Sequence, residues 1–157
     1  MLNKALIIFK DSILNSDKGF ISRSTLTNLI ELYDCGYKRI YIIDEAVGTD
    51  SNSCSSCEKE LKTQENKMLI NIIQSITRGE IIKDSLFGII YIDNNVFPYS
   101  PYAMPSPLIY SQLELTYGVD LDNSMVIGNT TAQEASALEF GLNYITTNEL
   151  RTQCVIC

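Results

Sequence analysis

Five short apolar runs, none long enough to make a helix, constrain this chain more than any other feature. They occupy residues 5–9, 40–43, 88–92, 125–127 and 143–146, and they are rich in Ile, Val and Tyr. Within each run the apolar residues are nearly continuous rather than alternating. That pattern suits parallel strands covered on both faces. Helical periodicity lies between the runs. In "STLTNLIELYDCG" Leu26, Leu29, Ile30 and Tyr33 share one face and the pattern stops at Gly36. Leu61, Met68, Ile72, Ile73 and Ile76 mark a longer helix, while "PLIYSQLELTYG" and "TAQEASALEFG" each finish at a glycine, the residue that best tolerates a left-handed helix end. Strands alternating with helices predict an α/β fold with a doubly wound parallel sheet. Its functional site is expected at the carboxyl ends of the strands.

The 157 residues suffice for one core and leave no room for a cap domain. A single domain over 1–150 followed by a short tail over 151–157 is the expected organisation. A net charge of -7 supplies no basic face to displace counterions, so nucleic acid is not an expected partner. No run approaches the roughly 20 apolar residues of a membrane span, and no signal-peptide core precedes the first strand. A cytoplasmic location is expected. The chain has no histidine, which removes His-based triads, His general bases and most mixed metal sites.

The loop positions carry a resemblance. The order "FKDSILN", "GYKRIYIIDEAVG", "YAMPSPLIYSQLELTYGVDL" and "SMVIGNTTAQEASALEFGL" resembles the haloacid-dehalogenase superfamily. The likeness is to its capless branch of heptose-bisphosphate and histidinol-phosphate phosphatases, over roughly residues 4–147. The family writes these segments as DxDGTLN, a strand ending in Thr/Ser-Asn, a K-P-x-P helix start, and GDxxxD. The surroundings match, but the catalytic letters do not. The family nucleophile falls on Phe9, which cannot form an aspartyl-phosphate. The acid–base aspartate falls on Asp11 and is present. The phosphoryl-holding hydroxyl falls on Ile43, the lysine on Met104 or Ser106, and the last two aspartates on Asn129 and Gln133.

Phosphoryl transfer of this kind needs a nucleophile, hard oxygen ligands for Mg²⁺ and cations around the phosphoryl oxygens. Its loss from several positions at once points to a catalytically degenerate phosphatase fold acting as a binding or interaction module. A protein partner is expected, and no cofactor. A ligand-binding remnant is expected at Asp11, Asp44, Gly128, Asn129 and Thr130, the last three at a helix start. Two rival readings stay open. One is a magnesium-dependent sugar-phosphate phosphatase with a rearranged site, for which Asp11, Asp44 and Asp93 could share one rim. The other is a thiol redox or zinc-binding domain.

The cysteines bear on that second rival. Five thiols without a secretory signal read as reduced rather than as a disulfide framework. Cys54 and Cys57 open a helix, where a thiol pKa falls, and with Cys154 and Cys157 they could form a widely spaced zinc site. The end "TQCVIC" has the C-a-a-X form, making Cys154 a lipidation candidate. A prenylated tail would add peripheral membrane association. In a bacterial protein it would imply a secreted effector in host cytosol or at a host membrane.

Overall fold

The computed structural model describes residues 4–14, 21–46, 55–80, 87–93, 101–102, 104 and 106–152. Among them five parallel strands form one sheet: β1 (Ala5–Phe9), β2 (Arg39–Ala46), β3 (Phe87–Asp93), β4 (Met125–Gly128) and β5 (Asn143–Thr146), in the order β3-β2-β1-β4-β5. All five expected strands are present. Six helices connect them: α1 (Lys10–Ile13), α2 (Arg23–Asp34), α3 (Ser55–Thr77), α4 (Leu108–Tyr117), α5 (Thr131–Phe140) and α6 (Thr147–Thr152). The doubly wound α/β expectation holds, and no cap interrupts the described residues. None of their helices is long and apolar enough to cross a membrane.

Successive side chains of a strand point to opposite faces, and the core divides accordingly. Ala5, Ile7 and Phe9 of β1 join Tyr41, Ile43 and Val126 under Ile109, Tyr110 and Leu113 of α4 and Ala137 of α5. Leu6 and Ile8 join Ile40, Ile42 and Ile127 under Leu29 and Leu32 of α2, Leu69, Ile73 and Ile76 of α3, and Leu150 of α6. Both faces of β1 are therefore apolar, which explains its unbroken hydrophobic run. The helix ends follow the sequence signals. Gly118 and Gly141 take left-handed conformations after α4 and α5. At the start of α5 the Thr130 side chain accepts from the Gln133 amide, and the Gln133 side chain answers it in a capping box.

Phe9 is the last residue of β1, as the apolar run over 5–9 implies, paired with Ile43 of β2 and fully buried. The end of β2 differs from the sequence reading. β2 continues past residue 43 through Asp44 and Glu45 to Ala46, in register with β3 up to Asp93. These two acids look like a loop in the sequence, yet each is held by partners that let it remain in the sheet.

Candidate functional site

β1 leads to β2 on one side, while β4 returns to its other side. This is the topological switch point, where a crevice opens beyond the carboxyl ends of the strands. Two segments meet there: Phe9 to Ile13 after β1, and Gly128 to Gln133 after β4.

Gln133 organises the meeting. Its side chain is fully buried on the first turn of α5. Its Oε1 accepts from the backbone N–H of Asn129 at 2.9 Å and of Thr130 at 3.2 Å. Its Nε2 donates to Asp11 Oδ1 at 3.1 Å and to Glu45 Oε2 at 3.0 Å. One neutral amide therefore helps cap a helix and joins two carboxylates, one from α1 and one from β2. Glu45 also accepts from the backbone N–H of Met104. Burial raises the Glu45 pKa above its ordinary value, and the negative charges of Asp11 and Asp44 push the same way.

The Asp11 loop is tied down on both sides. Asn129 Nδ2 donates to the Asp11 carbonyl oxygen at 3.2 Å. The Ser12 hydroxyl donates to the Phe9 carbonyl at 2.6 Å, and Thr147 of α6 donates to the Ser12 carbonyl at 2.6 Å. On the opposite face of the sheet Lys10 Nζ lies 2.9 Å from Asp44 Oδ1 and 3.0 Å from Glu65 Oε2. Burial alone would lower the Lys10 pKa, but the two carboxylates outweigh it and the net shift is upward. The lysine is committed to those two carboxylates, of which Asp44 is buried and Glu65 exposed.

Gly128 closes the floor. A Cβ there would stand 2.8 Å from Gln133 Oε1 and 2.9 Å from the Tyr144 hydroxyl. Burial, with Glu134, Glu149 and Asp11 nearby, pushes the Tyr144 pKa up to about 12.

Of the residues singled out in the sequence, Asp11, Asn129, Thr130 and Gln133 come together. Phe9 and Ile43 sit beneath them in the core. Ile13 faces the other cluster and shares no pocket with Phe9 and Ile43. Asp44 is brought to the same strand ends but points to the far face, toward Lys10. Met104 is half-buried against the core under α4, and the Ser106 hydroxyl accepts from the Leu108 N–H. Sequence reasoning missed Glu45 and Lys10 as partners of these groups. Their only sequence signal was a charge immediately beside a named position.

Cys54, Cys154 and the Asp93, Cys57 and Cys157 side chains lie outside the described residues. Cys35, at the end of α2, is disulfide-bonded, which corrects the reading of all five thiols as reduced.

The donors at the site do not fit a magnesium ion. Phe9 offers no oxygen, the Asp11 carbonyl already accepts from an amide, and Asn129 brings no charge. No group of three or more His, Cys, Asp or Glu side chains among the described residues is placed to hold a metal.

No family model matches the chain, and no curated protein does. Solved structures do. A D,D-heptose 1,7-bisphosphate phosphatase from B. bronchiseptica, complexed with magnesium and phosphate, superposes with a TM-score of 0.62 at 14% identity, over 90% of this chain and 78% of that one. The D,D-heptose 1,7-bisphosphate phosphatase from Burkholderia thailandensis gives 0.53 at 13% identity, over 94% of each chain. A HAD-like protein from Mesorhizobium loti gives 0.57 at 14% identity, over 85% and 67%. At this level of identity the likeness establishes the fold. The chain has the haloacid-dehalogenase-like α/β fold, as found in heptose-bisphosphate phosphatases.

The bridging amide is expected to be structural. Gln133→Ala removes the side-chain half of the capping box and leaves two carboxylates without their shared donor, so a loss of about 2 kcal/mol in urea unfolding is expected. An unchanged midpoint would refute the assignment. Gln133→Glu instead adds a third carboxylate, and its deficit depends on pH. Carboxyls crowded in this way have folded pKa values above their unfolded ones. The stability they contribute is present at acid pH and is lost as pH rises through the raised values. The Gln133→Glu deficit should therefore shrink on acidification toward the ordinary carboxylate range, and by more than that of Gln133→Ala, which loses the donor that holds the Glu45 pKa down but adds no charge.

Proposed function

We propose that this chain is a catalytically silent member of the phosphatase fold that works as a binding or interaction module. The observation carrying this reading is Phe9. At the position that resembles the nucleophile stands a fully buried phenyl ring packed among Tyr41, Ile43 and Tyr110. It has no lone pair for phosphorus and no path to it. The remaining site supports the same reading. The helix-start amides of Asn129 and Thr130 already donate to Gln133, so a phosphate arriving there must first displace that side chain. Lys10, the charge nearest Asp11 in sequence, is held by Asp44 and Glu65 on the opposite face.

The test is a phosphate-release assay with sugar phosphates, heptose bisphosphates and an aryl phosphate, with and without Mg²⁺. No turnover above background is expected, and Asp11→Asn should change nothing. Turnover that requires Mg²⁺ and disappears in Asp11→Asn would overturn the proposal and establish a phosphatase with a rearranged site.

A further inference from the structure

We propose that α6 is a strap for the Asp11 loop: seated on α2 it fixes the loop, and when it lifts the loop loosens with it. This concerns how the site is held together and does not depend on what the site binds.

The seat of α6 is small. The helix has six residues, Thr147–Thr152, too few to persist without tertiary contacts. It packs against α2. Its apolar anchor is Leu150, 1% exposed, which joins the cluster that includes Leu29 and Leu32 of α2. Asn28 Nδ2 of α2 donates to the Leu150 carbonyl at 2.6 Å. β5, which leads into α6, is a four-residue edge strand, paired with β4 alone among the described residues. An element at a sheet edge with so little buried apolar surface opens at a lower free energy than the core.

The tie to the site is Thr147. It is buried in the first turn of α6, and its hydroxyl donates to the Ser12 carbonyl at 2.6 Å. Ser12 is itself buried and follows Asp11 directly. α1, which carries both, has only four residues and no helical stability of its own. Asp11 is therefore held from two layers. From α5 and the turn before it, Gln133 Nε2 donates to the carboxylate at 3.1 Å and Asn129 Nδ2 to the backbone carbonyl at 3.2 Å. From the opposite face of the sheet, where α2 and α6 lie, Thr147 holds the next carbonyl.

When α6 lifts, the Ser12 carbonyl loses that donor, and a buried carbonyl left unpaired is costly. The two short elements should then open as one unit. Thr147 is a positioning residue, acting on Asp11 through Ser12. Whatever draws α6 off α2 loosens the Asp11–Gln133–Glu45 cluster without touching any of its three side chains.

The test is native-state hydrogen exchange of the isotope-labelled full chain, read amide by amide. The amides of 150–152 report α6, and the Leu14 N–H, which donates to the Lys10 carbonyl at 3.1 Å, reports the loop. Leu150→Ala should accelerate both by about tenfold or more. Leu113→Ala, the same truncation under α4 on the other face, should leave both unchanged. Thr147→Val removes the hydroxyl while α6 stays seated, so it should accelerate Leu14 alone, and Thr147→Ser should behave as the unmodified chain. If Leu150→Ala does not fold, Asn28→Ala loosens the same seat more gently and should give the same pattern with a smaller factor. A Leu14 amide that keeps its rate while 150–152 accelerate would overturn the proposal. Equal acceleration of both sets by Leu113→Ala would do so too, because the two would then open only with the whole molecule. A Leu14 rate unmoved by Thr147→Val would remove Thr147 as the tie.

Discussion

Replacing Phe9 with aspartate, the residue that the phosphatase pattern carries there, is expected to destabilise the protein by about 4 kcal/mol or more without creating activity. Removing a buried phenylalanine side chain alone costs about 3–5 kcal/mol. The incoming carboxyl would lie at the end of β1 in the apolar cluster of Tyr41, Ile43, Tyr110 and Val126, which holds no cation among the described residues, and Lys10 is engaged on the other side of the sheet. Burial raises the pKa of such a carboxyl above its unfolded value. The stability it retains at acid pH must fall as pH rises through that raised value. Urea unfolding should therefore show a larger deficit at neutral than at acid pH. Phe9→Leu, which keeps the site apolar, should lose far less and show no such pH dependence. An aspartate variant as stable as Phe9→Leu at neutral pH would mean that water or a cation reaches this position. Activity is a separate matter. Ile43, Met104 and Asn129 still withhold a hydroxyl, a cation and a metal ligand. A combined Phe9→Asp, Ile43→Thr, Ser106→Lys, Asn129→Asp protein is the better route to turnover, because it brings a nucleophile, a hydroxyl, a cation and a metal ligand in together.

Among the described glycines, Gly128 is the one whose added methyl meets the closest neighbours, so Gly128→Ala is expected to be strongly destabilising. The new Cβ would press on Gln133 Oε1 at 2.8 Å and on the Tyr144 ring at 3.0 Å, closer than non-bonded atoms tolerate. Neither neighbour can yield cheaply. Gln133 is held by contacts at both ends of its amide, and Tyr144 lies on β5, in register with Val126. A loss of about 2–3 kcal/mol is expected, as for over-packing of a filled interior. Pairing the change with Tyr144→Phe, which removes the hydroxyl facing Gly128, should recover part of it. Unfolding midpoints of the single and double variants, read as a cycle, test this. A Gly128→Ala protein within about 0.5 kcal/mol of the unmodified one would show that the floor of the site is not packed as described.

The sheet was legible because its strands are covered on both faces, so their apolar runs stand out without any alternation to decode. β2 was read too short for the opposite reason. Asp44 and Glu45 suit a loop by composition, and only the side chains of Lys10 and Gln133, distant in sequence, make them suitable for a strand. Phe9 stands out in the sequence against the phosphatase pattern, yet its place as the last core residue of β1 depends on α4 and α5 arriving above it. Gln133 could be noticed only as a departure from aspartate. That it holds a helix start and two acids at once is a property of three segments meeting, which no local pattern encodes. Cys35 gave no signal of a disulfide, because which thiols meet is decided by the fold and not by any local pattern.

The strand order has a consequence for how the protein is made. β1 emerges from the ribosome before the other four strands, yet it ends in the middle of the sheet, with hydrogen-bonding partners at residues 39–43 on one side and 125–127 on the other. The first partner arrives within a few dozen residues. The second is not synthesised until most of the chain exists. Until then one edge of the most apolar strand has no native mate, and bare strand edges invite pairing with other chains. Any fragment ending before residue 125 inherits that bare edge permanently, so truncated forms of this protein should collect in aggregates rather than as folded pieces.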